Sequence, residues 1–451
     1  MRTCSLIRGA RAQEERFSRW RIGWRGRGDA RGAPPVPHFT SARYHPYEES
    51  LCSRWMGVPM ADAGAATRGQ SGRRTGREEA VASGPACRSC SGRSGHLVLD
   101  LGKLPACDHF PGSDDPGPDP GYPLQMWLCS SCGLAQLVGE PIAAEEPRGV
   151  EPDALVAQAA EAVERLAGAG WLAGRSRATE FPSPHGGSWL GLLADRGVAP
   201  VTDGGPADLV IDSFGMMHDA DQRAALWRRA AQVAPGGTLL LQYHSLNTIV
   251  SLGQWNALRH GHFAYYSTSA LVGMLEANGF CARAAWLFDL YGGTVLLAAC
   301  REHEAGVAPD GSVHALLAED AQLGVRDPAV VESLQDHAKA HARGLREWLL
   351  AQRVAGRSVL GYGAASRAVA LLCGAGVDRG LLPGIVDTSP AKHGLRMPGT
   401  DIPIIGPADL ALQPPQAVLL FVPDLLTEVR RAYPAVEGSG GRWVDAEALR
   451  A

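Results

Sequence analysis

Nine consecutive residues, Arg259-His260-Gly261-His262-Phe263-Ala264-Tyr265-Tyr266-Ser267, hold two histidines and two tyrosines. Imidazole exchanges a proton near neutral pH, and a phenol beside it can hold a developing oxyanion, so the stretch suits proton abstraction next to a carbonyl. Half-buried aromatics around a hydrogen-bonded histidine give the same pattern without chemistry.

Four of the ten cysteines stand in two C-x-x-C pairs, Cys87 with Cys90 and Cys129 with Cys132. Each turn can present two thiolates to one ion, and two turns complete a tetrahedron. Zinc suits four sulfurs, and with every position filled by cysteine no place remains for water, so the metal would be structural. Redox or incidental pairs are the other reading. Cys107 and His109, between the pairs, read as loop residues. The remaining cysteines are scattered, which speaks against a disulfide framework and for the cytoplasm.

Two glycine turns are the other chemical features. Pro182-Ser183-Pro184-His185-Gly186-Gly187-Ser188-Trp189-Leu190 follows a short strand, Ala178 to Phe181, and enters a helix. Ser358 to Ala368 contains Gly361-Tyr362-Gly363-Ala364-Ala365-Ser366-Arg367, again strand, turn and helix start. Glycine lets backbone approach a ligand closely, and the amides of a helix start favour phosphate. Gly361, Gly363, Ser366 and Arg367 could therefore hold a diphosphate, with Lys392 adding positive charge; a purely structural turn is the alternative.

The elements that must position these groups follow from pattern. Ala207 to Phe214 reads as a buried strand, Gln222 to Val233 as a helix, Pro235-Gly236-Gly237 as a turn and Thr238 to His244 as another strand. Asp153 can cap a helix running to about Ala169. Residues 303 to about 350 read as helical, and His337 and His341, one turn apart, read as a solvated face rather than a metal site. A chain of 451 residues suggests roughly three domains at ~150 residues each. Hydrophobic residues make up 45%, charged residues 20%, and the net charge is -4, which gives no case for nucleic acid or membrane partners. No apolar run approaches a membrane span.

Taken together, Cys87-x-x-Cys90, Leu99-Asp100-Leu101-Gly102-Lys103-Leu104-Pro105, Tyr122-Pro123-Leu124 and Cys129-x-x-Cys132-Gly133-Leu134-Ala135-Gln136-Leu137 resemble the zinc module that opens the sugar C-methyltransferases. Ile385 to Gly394 and Met397 to Ile404 resemble the C-terminal domain of the same enzymes. The resemblance implies an α/β chain, a small Cys4 zinc module followed by two doubly wound Rossmann-like domains. It implies S-adenosylmethionine and structural Zn2+ as cofactors, and a keto-deoxysugar on a nucleoside diphosphate as small-molecule substrate. It implies donor contacts at Glu180, Ser183, Gly186 and Gly187 and, beyond the next strand, at Ser213 and His218. His262 matches the general base, and Tyr265, His260 and Arg259 become candidate donors to an enolate oxygen. The expected segments are 1–82 as a disordered tail or mis-assigned start, 83–142 as the zinc module, 151–302 as the methyltransferase domain, and 303–451 as a helical linker and C-terminal domain.

Three departures accompany the resemblance. Arg259 and Gly261 stand where the family has tyrosine and glutamate, and Glu140 to Val150 lacks its tyrosine-rich substrate loop. About ten residues between Gly197 and Pro206 replace a strand, helix and strand that read the adenosine ribose, leaving Asp203 as the acidic candidate. These departures suit a competing expectation, a non-catalytic relative that binds a nucleotide sugar or a partner protein. A nicotinamide-dependent epimerase or reductase on the last domain lacks the Tyr-x-x-x-Lys pair it would need.

Overall fold

The computed structural model describes residues 84–450 apart from 116, 143–152, 183–186 and 302–309. The expected tail, residues 1–82, lies outside the described residues. Three sheets make up the rest.

The first is antiparallel, β1 (Gly95–Pro105), β2 (Gly121–Cys129) and β3 (Ala135–Leu137), and its fourth strand is β8 (Ala264–Tyr265), from the histidine-rich stretch. β8 joins β3 with Ala135 opposite Tyr265 and Gln136 opposite Ala264. Side chains alternate across a strand: Phe263 and Tyr265 enter the core shared with the C-terminal sheet, while Ala264 and Tyr266 enter the core beneath the central sheet.

The second sheet follows helix α1 (Asp153–Gly168) and has the order β5-β4-β6-β7-β10-β9. Its parallel strands are β4 (Arg177–Phe181), β5 (Ala199–Pro200), β6 (Ala207–Ser213) and β7 (Val233–His244). Helix α2 (Leu190–Ala194) joins β4 to β5, and α3 (Gln222–Ala231) joins β6 to β7. After α4 (Leu246–Ser251) and α5 (Thr268–Glu276) come β9 (Phe280–Phe288) and β10 (Thr294–Arg301), the latter antiparallel to both its neighbours. Apolar residues of β6, such as Leu209, Val210 and Ile211, are fully buried because both faces are covered. Pro235-Gly236-Gly237 does not break the chain as the pattern predicted. β7 runs through it, with an irregularity against β6, since glycine at φ 70° at position 236 absorbs the kink.

Helices α6 (Gly311–Leu323) and α7 (Pro328–Val354) lead to the third sheet, all parallel, in the order β13-β12-β11-β14-β15. Its strands are β11 (Val359–Tyr362), β12 (Ile385–Val386), β13 (Ile404–Ile405), β14 (Ala417–Leu420) and β15 (Arg442–Asp445), with α8 (Ser366–Ala375) after β11. Strand order reverses beside β11, so its carboxyl end is the natural crevice of this sheet. The α/β expectation, with two doubly wound sheets after a cysteine module, therefore holds.

The solvated face expected at His337 and His341 is corrected at His341. That ring is fully buried on α7, accepting from the Trp255 indole at Nδ1 (3.2 Å) and donating from Nε2 to the Ala446 carbonyl (2.8 Å). It is a structural pin, which a helix-face reading misses because the covering residues come from distant segments. Among the described residues no helix is long and apolar enough to cross a membrane.

Candidate active site

Both cysteine turns are tight: the Ser91 amide donates to the Cys87 carbonyl and the Gly133 amide to the Cys129 carbonyl, each at 2.9 Å. They bring the sulfurs of Cys87, Cys90, Cys129 and Cys132 within 4.8 Å of one another, the closest pairs at 3.5 and 3.6 Å. Four thiolates on tetrahedral zinc stand about 3.8 Å apart, from a zinc–sulfur bond of ~2.3 Å, so the donor set fits that metal. Hydrogen bonding from Cys132 draws the Cys87 thiol down to about 5, and the same contact pushes the Cys132 thiol up.

The zinc turn also grips the histidine-rich stretch. Arg88, between the first two cysteines, lays its guanidinium over the Phe263 ring at 4.7 Å and donates to the Leu137 and Ala220 carbonyls. Its amide donates to the Gln136 side chain at 2.8 Å. The Phe263 amide donates in turn to the Met217 carbonyl at 2.7 Å, fastening the stretch to the loop after β6.

Around His262 three sheets meet. Gly261 takes φ 84°, a left-handed conformation that a side chain resists, and its carbonyl accepts from His218 Nδ1 at 3.1 Å. The His218 ring lies edge-on to His262 with centroids 4.4 Å apart. Arg259 reaches across: its Nε donates to His262 Nε2 at 2.8 Å, and its Nη1 donates to Ser366 Oγ at 2.6 Å. Its backbone amide donates to the Tyr265 hydroxyl at 3.1 Å. Ser366 opens α8, and the next residue, Arg367, stacks its guanidinium on the Tyr291 ring at 5.2 Å. Tyr291 also meets Phe214 and His244, with ring centroids 5.9 and 6.3 Å away.

Phe214 and Tyr291 both have positive φ, 61° and 57°. Such non-glycine conformations are costly and tend to cluster where surroundings fix a working geometry. Burial and the charge of Arg259 hold the His218 imidazole down to about 4, and burial with Arg367 holds His244 down to about 3. Burial pushes the Tyr265 phenol above its ordinary value, so it keeps its proton. The arrangement sets the neutral imidazoles of His218 and His244 beside the guanidinium groups of Arg259 and Arg367.

Of the site residues named from sequence, Arg259, His262, Tyr265, His218, Ser366 and Arg367 come together here. His260 does not. Its Nε2 meets the Pro123 carbonyl at 3.3 Å and its ring stands against Tyr122, because successive residues around Gly261 point to opposite sides. Lys392 is likewise corrected: its ammonium is buried behind the turn, donating to the Ala364 carbonyl at 2.8 Å and lying over the Phe110 ring. Gly361 is a packing glycine, since a Cβ there would stand 2.7 Å from the Ile385 side chain, whereas Gly363 serves the turn with φ 88°. His244 and Tyr291 were missed as site residues, although the strand order would have put the end of β7 on the same edge as His218.

The donor region is partly described. Ser183 and Gly186 fall outside the described residues. Gly187 has φ 78°, and the Glu180 carboxylate accepts from Ser188 Oγ and the Trp189 amide, both at 2.9 Å, folding the turn back on β4. Ser213 donates to the Gln242 side chain at 2.8 Å. Asp212 is buried against Arg229 at 2.6 Å, and the guanidinium stacks on Phe181. A cavity of about 10 Å³ between Asp212, Phe214, Gln242 and Tyr266 has room for about one water. Much of the glycine turn thus lies outside the described residues, and the Trp189 amide at its end is taken by Glu180. Asp203 does not fit the ribose: β5 has two residues, and Asp203 turns back to pair with Arg177 at the start of β4, 2.6 Å away and on the opposite edge.

Comparison with known proteins adds two matched segments. Residues 87–145 match a zinc binding domain, and residues 289–446 match the C-methyltransferase C-terminal domain. C-methyltransferase NovU of Streptomyces niveus is 25% identical over 399 residues, 79% of this chain and 94% of that protein. Among solved structures, magnesium protoporphyrin IX methyltransferase of Synechocystis with bound S-adenosylhomocysteine is 17% identical, covering 33% of this chain and 84% of that one at a TM-score of 0.25. The glycopeptide N-methyltransferase MtfA with sinefungin is 13% identical, covering 36% and 100% at 0.22.

Proposed function

The chain belongs to the C-methyltransferase family as an S-adenosylmethionine-dependent enzyme with an N-terminal zinc module, and from that premise we propose that it methylates the carbon beside the ketone of a nucleotide-linked deoxysugar. The observation that carries this reading is His262 Nε2, 2.8 Å from Arg259 Nε and held where the central sheet meets the N-terminus of α8.

His262 takes the proton α to the ketone at Nε2. The electrons of the broken C–H bond pass into the enolate, whose carbon forms the new bond to methyl. S-adenosylmethionine supplies that methyl group with its bond already polarised toward a sulfonium leaving group. Tyr265, which keeps its proton, is the group near enough to stabilise the enolate oxygen. His218 stands edge-on to the base and fixes the ring's tilt. Holding the two partners in line supplies much of the acceleration in such a transfer. Ser366, Arg367 and Gly363 take the diphosphate at the crevice of the third sheet, and Glu180, Gly187, Ser213 and His218 line the donor side. The segments 83–142, 151–302 and 303–451 serve as zinc module, methyl-transfer domain and substrate domain, in a cytoplasmic enzyme of secondary metabolism.

Solvent deuterium uptake at the substrate carbon, followed by NMR with the methyl donor left out, tests the assignment. The expected outcome is exchange in the wild-type protein and loss of exchange in His262→Ala. Undiminished exchange in that variant would remove His262 from the base role.

A further inference from the structure

We infer that Arg259 makes the base answer to the charge of the substrate: an anionic group bound at Arg367 and the start of α8 draws the Arg259 guanidinium off His262, and only then can Nε2 take a proton. This rests on the reading of His262 as the base and adds what selects the substrate.

A neutral imidazole has one acceptor nitrogen. In this structure Arg259 Nε lies 2.8 Å from His262 Nε2 and 3.4 Å from Nδ1, so either ring nitrogen that carries the lone pair faces the guanidinium, and the residue is 6% exposed. Proton uptake there would press an imidazolium against a guanidinium already in contact, so the ring is not a base while Arg259 lies on it. The other end of the same guanidinium donates to Ser366 Oγ, the first residue of the ten-residue helix α8. Arg367 follows it, stacked on Tyr291. Among the described residues, neither Arg259 nor Arg367 forms an ion pair with a carboxylate, whereas Arg229 and Arg396 each do.

Two guanidinium groups converging on one helix start, Arg259 without a paired carboxylate and Arg367 within electrostatic reach of Asp424, fit a phosphate or diphosphate. The competition for Arg259 then favours the anion. Hydrogen bonds to a charged acceptor are roughly twice as strong as those to a neutral imidazole and hydroxyl. The backbone of Arg259 stays in place through its amide bond to Tyr265, so the movement is confined to a side chain. Once Arg259 has moved, the enolate oxygen falls to Tyr265. A neutral ketone of the same shape leaves the guanidinium on His262 and is not deprotonated.

The experiment separates the sugar from its charge. Deuterium uptake is followed for an uncharged keto-deoxysugar with and without inorganic pyrophosphate, and for the nucleotide-linked sugar as reference. The expected result is that pyrophosphate accelerates exchange of the uncharged sugar by roughly tenfold or more, the scale of one charge-assisted hydrogen bond. In Arg259→Gln the uncharged sugar should exchange without pyrophosphate and respond little to it. In Arg367→Gln the site should stay closed and the pyrophosphate response should weaken. A wild-type protein that exchanges the nucleotide-linked sugar yet ignores pyrophosphate overturns the inference, and so does an Arg259→Gln variant that exchanges the uncharged sugar no faster than wild type. Absence of exchange with every ketone would instead count against the base reading itself. Should the variants fail to fold, the nitrogen-15 resonances of His262 in the wild-type protein decide. Nε2 should lose its hydrogen-bond shift on pyrophosphate addition, and an unchanged resonance again overturns the proposal.

Discussion

His218 and His244 are held in the neutral form around pH 7, and each has consequences that can be measured. Burial and nearby arginines lower them to about 4 and about 3, whereas in the unfolded chain they titrate near ~6.5. Between those values the unfolded state binds more protons, so stability falls as pH drops below about 6.5. The limiting slope is about 1.4 kcal/mol per pH unit for each histidine. Glu180, Asp320 and Asp424 are raised by burial and act in the opposite direction. The test is therefore a difference: urea midpoints of wild type and His244→Asn from pH 7 to 4.5. The variant should lose less stability over that range, and parallel curves would contradict the assignment. At the same scale, His260 shows how little a residue's type settles. It is next but one to His262, yet the left-handed Gly261 between them turns it to β2.

Among elements, β8 is the one whose position most constrains the chemistry. It is two residues long and has no stability of its own; it exists because β3 offers a free edge and because Arg88 clamps Phe263 from the zinc turn. A zinc ion held by the four cysteines would act on His262 from a distance, through the turn that carries Arg88. Removing the metal with a chelator should raise amide exchange at Ala264 and Tyr265 and lower the deuterium-uptake rate together, since both follow from release of the strand. Arg88→Ala with zinc retained should reproduce the effect in part, at a cost of about 2 kcal/mol for lost charge-assisted bonds. Activity that survives chelation with unchanged protection of β8 would show the module to be an independent appendage. β5 illustrates the opposite case: it is an element cut short, and its brevity sends Asp203 to the edge of the sheet away from the crevice.

For the whole molecule, the zinc module also ties into the third sheet. Arg396 donates to Asp119 in a bidentate pair at 2.6 and 2.8 Å, with side chains 5% and 8% exposed. Arg396 holds the Asp119 carboxyl below the usual range, so this contribution is present above ~3.9 and lost as pH falls further. Deleting one partner of a buried pair leaves an uncompensated charge. Arg396→Met should cost about 3–5 kcal/mol in urea unfolding, and the double variant Asp119→Asn with Arg396→Met should recover most of it. A single variant as stable as wild type would mean that the two sheets do not unfold together. The same link gives the site its setting, because His262, His218 and the helix start at Ser366 come from three sheets that must keep their relative places.

Local chemistry was enough for the sequence to determine the cysteine turns, strands β6 and β11, the helices α1 and α7, and His262 as the residue to watch. Short-range spacing and hydrophobic period act within a few residues and need no knowledge of neighbours. Only the tertiary structure decided that Arg259 meets both His262 and Ser366, that Lys392 and His341 are buried supports, and that Asp203 faces the wrong edge. Those facts depend on contacts between separate segments, 107 residues apart for Arg259 and Ser366 and 28 for Lys392 and Ala364, or on the edge of a sheet to which a loop returns. Spacing along a chain carries no record of either.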